Sequence, residues 1–422
     1  LEQTEKRQHV VLARGRDDLG ALVVASAFEE IDCRAGVGSL CTCRVHRVSD
    51  PIDVSAVSGK ADLKAFVDFP YELYDKSSNW VPPLKMDIKD QLNQKKNPWF
   101  EHAEAEFFLA RRGGKVVGRI SAHIDKNFNE FQDNDWGLFG WFESIDDEVV
   151  ATALYDTAAA WLKERGRDRM VGPFSYTTND ECGVLIDGFE IAPAILEPWN
   201  YDYYPKLFDG AGFEKAMDLL MYKMEISDKD KVRPAVHIAA GRVDESSYRF
   251  KRFSRLTLNA DVDRFLDIYN ESWEKNWGFV PLTEKEVRHY AKTLLPVLDK
   301  NWAFVVIAAD DDNAGAALTL PDYNQVLKHL GGRLLPFGWA KFLWYRRKID
   351  RVRVFALGVK PKYRTTGLAA KLYVEHLHAA ERTGVVGGTM GWILENNRAM
   401  NKSIEALGGT VIKRFRLYER ML

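Results

Sequence analysis

Two stretches of the chain carry the same order of apolar patterns. In the first, residues 61–73 have helical spacing, and strand-like runs at 106–111 and 115–124 flank Gly113-Gly114, a hairpin signal. A third apolar run follows at 136–142. Next comes a helix over 149–165, with Leu154, Ala158 and Leu162 on one face and Gly166 as its stop. Residues 168–176 and 216–224 read as strands. The second stretch predicts a strand at 248–256, helices at 262–275 and 284–298, and a hairpin from 303–309 and 314–320 over Asp310 to Asn313. A buried-type strand at 352–359, a helix at 366–383 stopped by Gly384, a strand at 389–394, a helix at 398–407 and a strand at 410–418 complete it.

These patterns predict an α/β fold of two similar mixed-sheet domains, at 55–226 and 246–422, joined by a polar linker over 227–245. The length of 422 residues fits two domains better than one. Residues 1–54 show little periodicity and hold Cys33, Cys41 and Cys43. They read as a disordered tail or an over-extended start, with a regulatory tail as the alternative.

Composition narrows the function. A formal net charge of -2 argues against nucleic-acid binding. Cys41-Thr-Cys43 is too close for a zinc pair and no second pair follows, so no metal is expected. Neither a run of about 18 apolar residues nor a secretory signal stands out, so a reduced cytoplasmic setting is the expectation.

The segment 359–372, Val-Lys-Pro-Lys-Tyr-Arg-Thr-Thr-Gly-Leu-Ala-Ala-Lys-Leu, has what a pyrophosphate requires. It joins a strand to a helix, so backbone N–H groups and the helix dipole converge where Gly367 and Ala369 keep the surface small. Arg364 adds a positive charge. In the first stretch the corresponding place, 142–148, holds Glu143, Asp146, Asp147 and Glu148, which repel a pyrophosphate.

The segment 359–372 resembles the signature loop of the GNAT superfamily of acyl-CoA N-acyltransferases. The run from Trp392 through Asn397 to Leu407-Gly408 is similar to its second signature, a strand, an Asn and a helix. The resemblance implies two tandem GNAT-like domains, the first degenerate, with acyl-CoA as co-substrate. It assigns the donor to Leu357, Gly358, Val359, Arg364, Thr365, Thr366, Gly367, Leu368, Ala369 and Asn397, with amides of 357–359 polarising the thioester carbonyl. One departure stands out. The Tyr that many members use to protonate the leaving thiolate is Ile404 here, leaving Tyr418 or Ser403 as substitutes.

For the acceptor, the Gly-punctuated stretch 172–189 offers Asn179, Asp180 and Asp187, each of which could equally be a turn residue. Trp273, Trp277 and Phe279 would wall the acceptor side. Glu395 is the first candidate for the base and Asp180 the second. Residues 322–350 form an insert with Trp339 and Trp344 among Lys328, Arg333, Lys341, Arg346, Arg347 and Lys348, continued by Arg351 and Arg353. This suits an anionic membrane surface through 334–353, at the inner membrane face; helices packed on the core with a solvated basic side are the alternative. The layout resembles the bacterial ceramide-synthase type, which implies a long-chain lipid amine as acceptor. A non-catalytic acyl-CoA sensor and a tRNA-dependent aminoacyl transferase stay open as alternatives.

Overall fold

The computed structural model describes residues 50–422 apart from Pro296, and before them only the two-residue strands β1 (Leu22–Val23), β2 (Ile31–Asp32) and β3 (Arg44–Val45). The expectation for the N-terminal tail therefore lies mostly outside the described residues. The first half then runs β4 (Ile52–Ala56), α1 (Gly59–Leu73), α2 (Lys85–Gln91), β5 (Ala103–Arg112), β6 (Lys115–Asp125), α3 (Lys126–Gln132), β7 (Trp136–Ser144), α4 (Glu148–Glu164), β8 (Arg169–Gly172), β9 (Val184–Asp187), α5 (Tyr204–Gly210) and β10 (Glu214–Glu225). The second half follows with α6 (Pro234–Gly241), β11 (Tyr248–Arg252), α7 (Leu258–Trp273), α8 (Glu284–Leu294), β12 (Ala303–Ala308), β13 (Asn313–Pro321), α9 (Asn324–Leu327) and α10 (Gly338–Tyr345). It ends with β14 (Arg351–Val359), α11 (Leu368–Thr383), β15 (Gly387–Leu394), α12 (Arg398–Ala406) and β16 (Thr410–Met421).

Local chemistry sets the helix limits. Asp147 accepts from the N–H groups of Val149 and Val150 and so starts α4, whose Val150, Leu154, Ala158 and Leu162 pack inward at helical spacing. A capping box between Thr283 and Glu286 opens α8. Gly384, in the left-handed conformation at φ 73°, ends α11.

The halves share one sheet, in the order β1-β4-β5-β6-β7-β8-β16-β10-β15-β14-β13-β12-β11, with β9 also pairing β16. Their last strands are exchanged. β10 lies against β15 of the second half, and β16 lies against β8 of the first. Leu219 and Met221 of β10 and Phe415 and Leu417 of β16 are buried in one cluster with Val171, Leu185 and Val280, so a single core crosses the junction. Within it Lys413 and Glu197 pair at 2.7 Å, both nearly inaccessible. The expected linker is also structured: it contains α6, which packs on α11.

Candidate active site

The two central strands of the second half open apart. β14 and β15 pair in parallel from Arg351 opposite Gly387 to Val354 opposite Met390, and no further. On the other side of β14, Leu318 faces Ala356 and Thr319 faces Val354, so Phe355 is an extra residue in a bulge. The bulge bends β14 as β15 turns to β10 through Ile393 and Leu394. The edge of β14 from Phe355 to Val359 that faces away from β13 is left without a strand partner.

Beside this opening α11 begins without a side-chain cap. Gly367 stands at its N-cap with φ 88°, and a Cβ there would come within 2.4 Å of the Ala239 carbonyl of α6, so only glycine fits. The first turn carries no acid, and the amides of Gly367, Ala369 and Ala370 have no acceptor among the described residues. Two of the loop's cations are turned back on α7, while Lys362 pairs with Asp312 at 3.1 Å. Lys360 pairs with Asp267 at 2.7 Å and Glu271 at 3.0 Å, and Arg364 donates to the Ser272 carbonyl at 3.0 Å. Arg364 thus holds the loop in place while its guanidinium stays exposed.

Two cavities meet through the opening. On the α11 and α12 side a mainly apolar cavity of about 130 Å³ is lined by Leu357, Tyr373, Met390, Met400 and Ile404. On the opposite face a cavity of about 100 Å³ is lined by Thr178, Cys182, Tyr269, Trp277, Phe279 and Arg353. Trp273, Phe355, Gly391 and Trp392 belong to both walls. Trp273 lies flat on β14 because Gly358 leaves room: a Cβ there would be 2.4 Å from its ring. A donor and an acceptor entering from opposite faces would meet at these aromatic residues.

The first half supplies the polar wall of the second cavity. Its loop docks on the segment after α7, with Thr178 Oγ1 donating to the Gly278 carbonyl at 2.9 Å and Asn179 Nδ2 to that of Val280 at 3.3 Å. Asp180 accepts from Tyr290 of α8 at 3.1 Å and from Thr177 at 3.2 Å. Burial pushes its carboxyl up to about 6, against these hydrogen bonds. The next residue, Glu181, lines neither cavity and reaches solvent beside the wall residue Cys182; its partial burial pushes its carboxyl up to about 7, with Arg353 opposing the shift and Asp180 adding to it. Burial pushes the Cys182 thiol far up, so it lines the wall as a small apolar group rather than a nucleophile. Arg353 is almost inaccessible and stacks on Trp392 at 4.6 Å, donating to the carbonyls of Ile195 and Gly391.

Of the expected residues, Leu357, Trp273, Trp277 and Phe279 line the cavities, the loop 359–369 lies beside the open edge of β14, and Asn179 and Asp180 stand behind the second cavity, bonded to Tyr269 and Tyr290. Other residues lie elsewhere. Glu395 is held by Lys215 at 2.7 Å and accepts from the Asp218 N–H on the β10 side, and it lines neither cavity. Tyr418 is stacked on Phe208 in the first-half core, because β16 has crossed to β8. Ser403 donates to Ala399 within α12, and Asp187 is exposed where β9 meets Arg414. Asn397 caps α12 by accepting from the Met400 N–H. Arg353 is an interior group, and Arg351 pairs with Glu225 at 2.9 Å, so the basic surface ends at Lys348. Sequence reasoning passed over Glu181 and Tyr373. The one signal for Glu181 was its place beside Asp180, and for Tyr373 its helical spacing before Leu377 on the cavity face of α11.

In the first half the corresponding opening is closed. β7 and β8 pair in parallel from Trp136 to Leu138, after which Phe174 fills the gap, its N–H donating to Phe139 at 2.8 Å. Gly140 is required there, since a Cβ would overlap the Phe174 carbonyl at 1.4 Å.

This duplicated mixed sheet, with one open parallel pair beside a glycine-started helix and one closed pair, shares its fold with a tandem GNAT protein. A tandem GNAT protein from the clavulanic acid biosynthesis pathway superposes with a TM-score of 0.54, covering 87% of this chain and 98% of that one at 12% identity. No family model matches the chain. The chain is 36% identical over 382 residues to the bacterial ceramide synthase of Caulobacter vibrioides (strain NA1000 / CB15N), covering 88% of this chain and 98% of that protein. It is 35% identical over 372 residues to protein YghO of Escherichia coli (strain K12), covering 86% and 94%. The chain belongs to the family that these two proteins represent. Among the described residues no helix is long and apolar enough to cross a membrane.

Proposed function

We propose that the chain moves an acyl group from coenzyme A to the amine of a long-chain lipid base. The observation that carries the donor half is the bare start of α11 beside the open edge of β14. The lipid acceptor is favoured by the name of the Caulobacter relative and by the aromatic wall of Trp273, Trp277 and Phe279.

In this reading the pyrophosphate sits on the amides of Gly367, Ala369 and Ala370, and the thioester lies in the opening. Amides on the free edge of β14 between Leu357 and Val359 polarise its carbonyl. The amine approaches past Trp273 and Phe355 from the opposite face. Glu181, outside the cavities but next to the wall residue Cys182, takes its excess proton through water; burial, with a smaller addition from Asp180, keeps that carboxylate's affinity for protons high. The new C–N bond forms, the C–S bond breaks, and the electron pair leaves on sulfur. Tyr373 donates to that sulfur in place of the residue missing at Ile404. Its hydroxyl has the Met400 thioether as partner at 3.4 Å, a weak acceptor, and burial pushes it up to about 12, so it stays protonated.

Thiol release from acyl-CoAs of graded length, measured against a sphingoid base and a panel of polar amines, tests the proposal. Release with the long-chain base is expected. Turnover with polar amines alone would end the lipid reading, and CoA binding without any release would favour a sensor. A requirement for charged tRNA would point to the aminoacyl transferase.

A further inference from the structure

The insert between β13 and β14 is apolar on two sides. Leu334, Phe342, Tyr345 and Ile349 pack inward on Leu84, Val326 and Leu330. With those contacts made, Leu335, Phe337, Trp339, Leu343 and Trp344 still face solvent, at 76%, 75%, 54%, 45% and 62% exposure. Other large apolar residues exposed among the described ones, such as Met86, Val149 and Ile238, stand singly. A cluster of this kind marks an interaction surface.

Its charge selects the partner. Lys328, Arg333, Lys341, Arg346, Arg347 and Lys348 are all exposed around the apolar group, and Asp350 is the one acid between 328 and 350. This local excess of cations sits on a chain whose net charge is -2. Lys348 lies over the rings of Trp344 and Tyr345, a placement that leaves its stem on apolar surface and its charge outward. Aromatic residues beside cations, on a short helix lying over the fold, match the boundary of an anionic bilayer, where rings sit at headgroup depth and ammonium and guanidinium groups meet phosphates.

We propose that the 335–348 surface docks the protein on an anionic lipid bilayer. The position of the active-site cavities fits this. A larger cavity of about 810 Å³ is lined by Tyr323, Arg346 and Ile349 of the insert and by Trp302, Val352 and Val385. The last three also line the apolar cavity beneath α11. The docked face therefore adjoins a groove of mixed lining, with Arg252, Arg255 and Lys300 at its polar side, that shares Trp302, Val352 and Val385 with the apolar cavity beside the opening between β14 and β15. A lipid chain leaving the bilayer would enter this groove along the side formed by Trp302, Val352 and Val385. This second step rests on the acyltransferase reading; the docking does not.

The test uses the full chain and co-sedimentation with vesicles of phosphatidylcholine alone or mixed equally with phosphatidylglycerol. Binding to the mixed vesicles, weakened by salt, is expected. Phe337→Ser with Trp339→Ser and Trp344→Ser should reduce it by about 10-fold or more. Lys341→Glu with Arg346→Glu and Arg347→Glu should abolish the preference for phosphatidylglycerol. Both variants should keep the melting temperature and should release thiol from a short-chain acyl-CoA with a water-soluble amine as the parent does. No binding by the parent, or equal binding by the variants, overturns the proposal. So does self-association of the parent that the Ser variant loses, since the surface would then join two copies. A parent that binds vesicles yet releases no thiol leaves docking standing and removes only the acyltransferase reading.

Discussion

The start of α4 and the start of α11 occupy matching places in the two halves and are opposite in character. Asp147 caps the first, bonded to the amides of Val149 and Val150 and paired with Arg112 at 2.8 Å. Gly367 opens the second, leaving its first amides without an acceptor among the described residues. The neighbouring strands differ as well, with the gap after β7 filled by Phe174 and the gap after Val354 left open. In the proposed function, either change alone removes a coenzyme site. In the proposed function the first half instead supplies part of the acceptor wall, through Thr178 and Cys182.

Carrying the first half's acid into the second should have the largest effect. Ala369→Asp places a carboxylate among the free amides and should weaken CoA binding by about 100-fold or more, read by isothermal titration. Glu181→Gln should lower kcat by about 100-fold with CoA affinity unchanged. In the parent the base works as a carboxylate, so the rate should climb as pH rises through the region of about 6 to 7, and the variant should lose that limb. The sign for stability is opposite. A carboxyl raised on folding costs stability as pH rises from the unfolded value through the folded one, so Glu181→Gln should melt higher than the parent at pH above about 7. Trp277→Ala should raise the acceptor KM by about 10-fold and leave the CoA constant alone. Asp147→Ala should cost about 1 kcal/mol of stability in denaturant titration and create no second coenzyme site, because Phe174 still fills the gap.

What the sequence showed of this fold was local. The segment 359–372 was legible because strand, glycine and helix start are contiguous, and α4 because its buried residues keep helical spacing. Long-range pairing was not. The pattern at 168–176 read as one strand, yet β8 ends at Gly172, where Pro173 has no N–H for a ladder and the chain turns to close the gap. Residues 227–245 read as a linker, although α6 buries Ala240 against the second half. The exchange of β10 and β16 carries no local mark, so Tyr418 was expected near the chemistry and lies in the first-half core. Arg353 was counted with the surface cations because its run is basic, but its position on β14 turns it inward.

Titration of the full chain with CoA tests the central claim most directly. One site per chain, lost in Ala369→Asp and retained in Asp147→Ala, is the predicted result. Two equivalent sites, or a single site that survives Ala369→Asp, would contradict the division of the two halves.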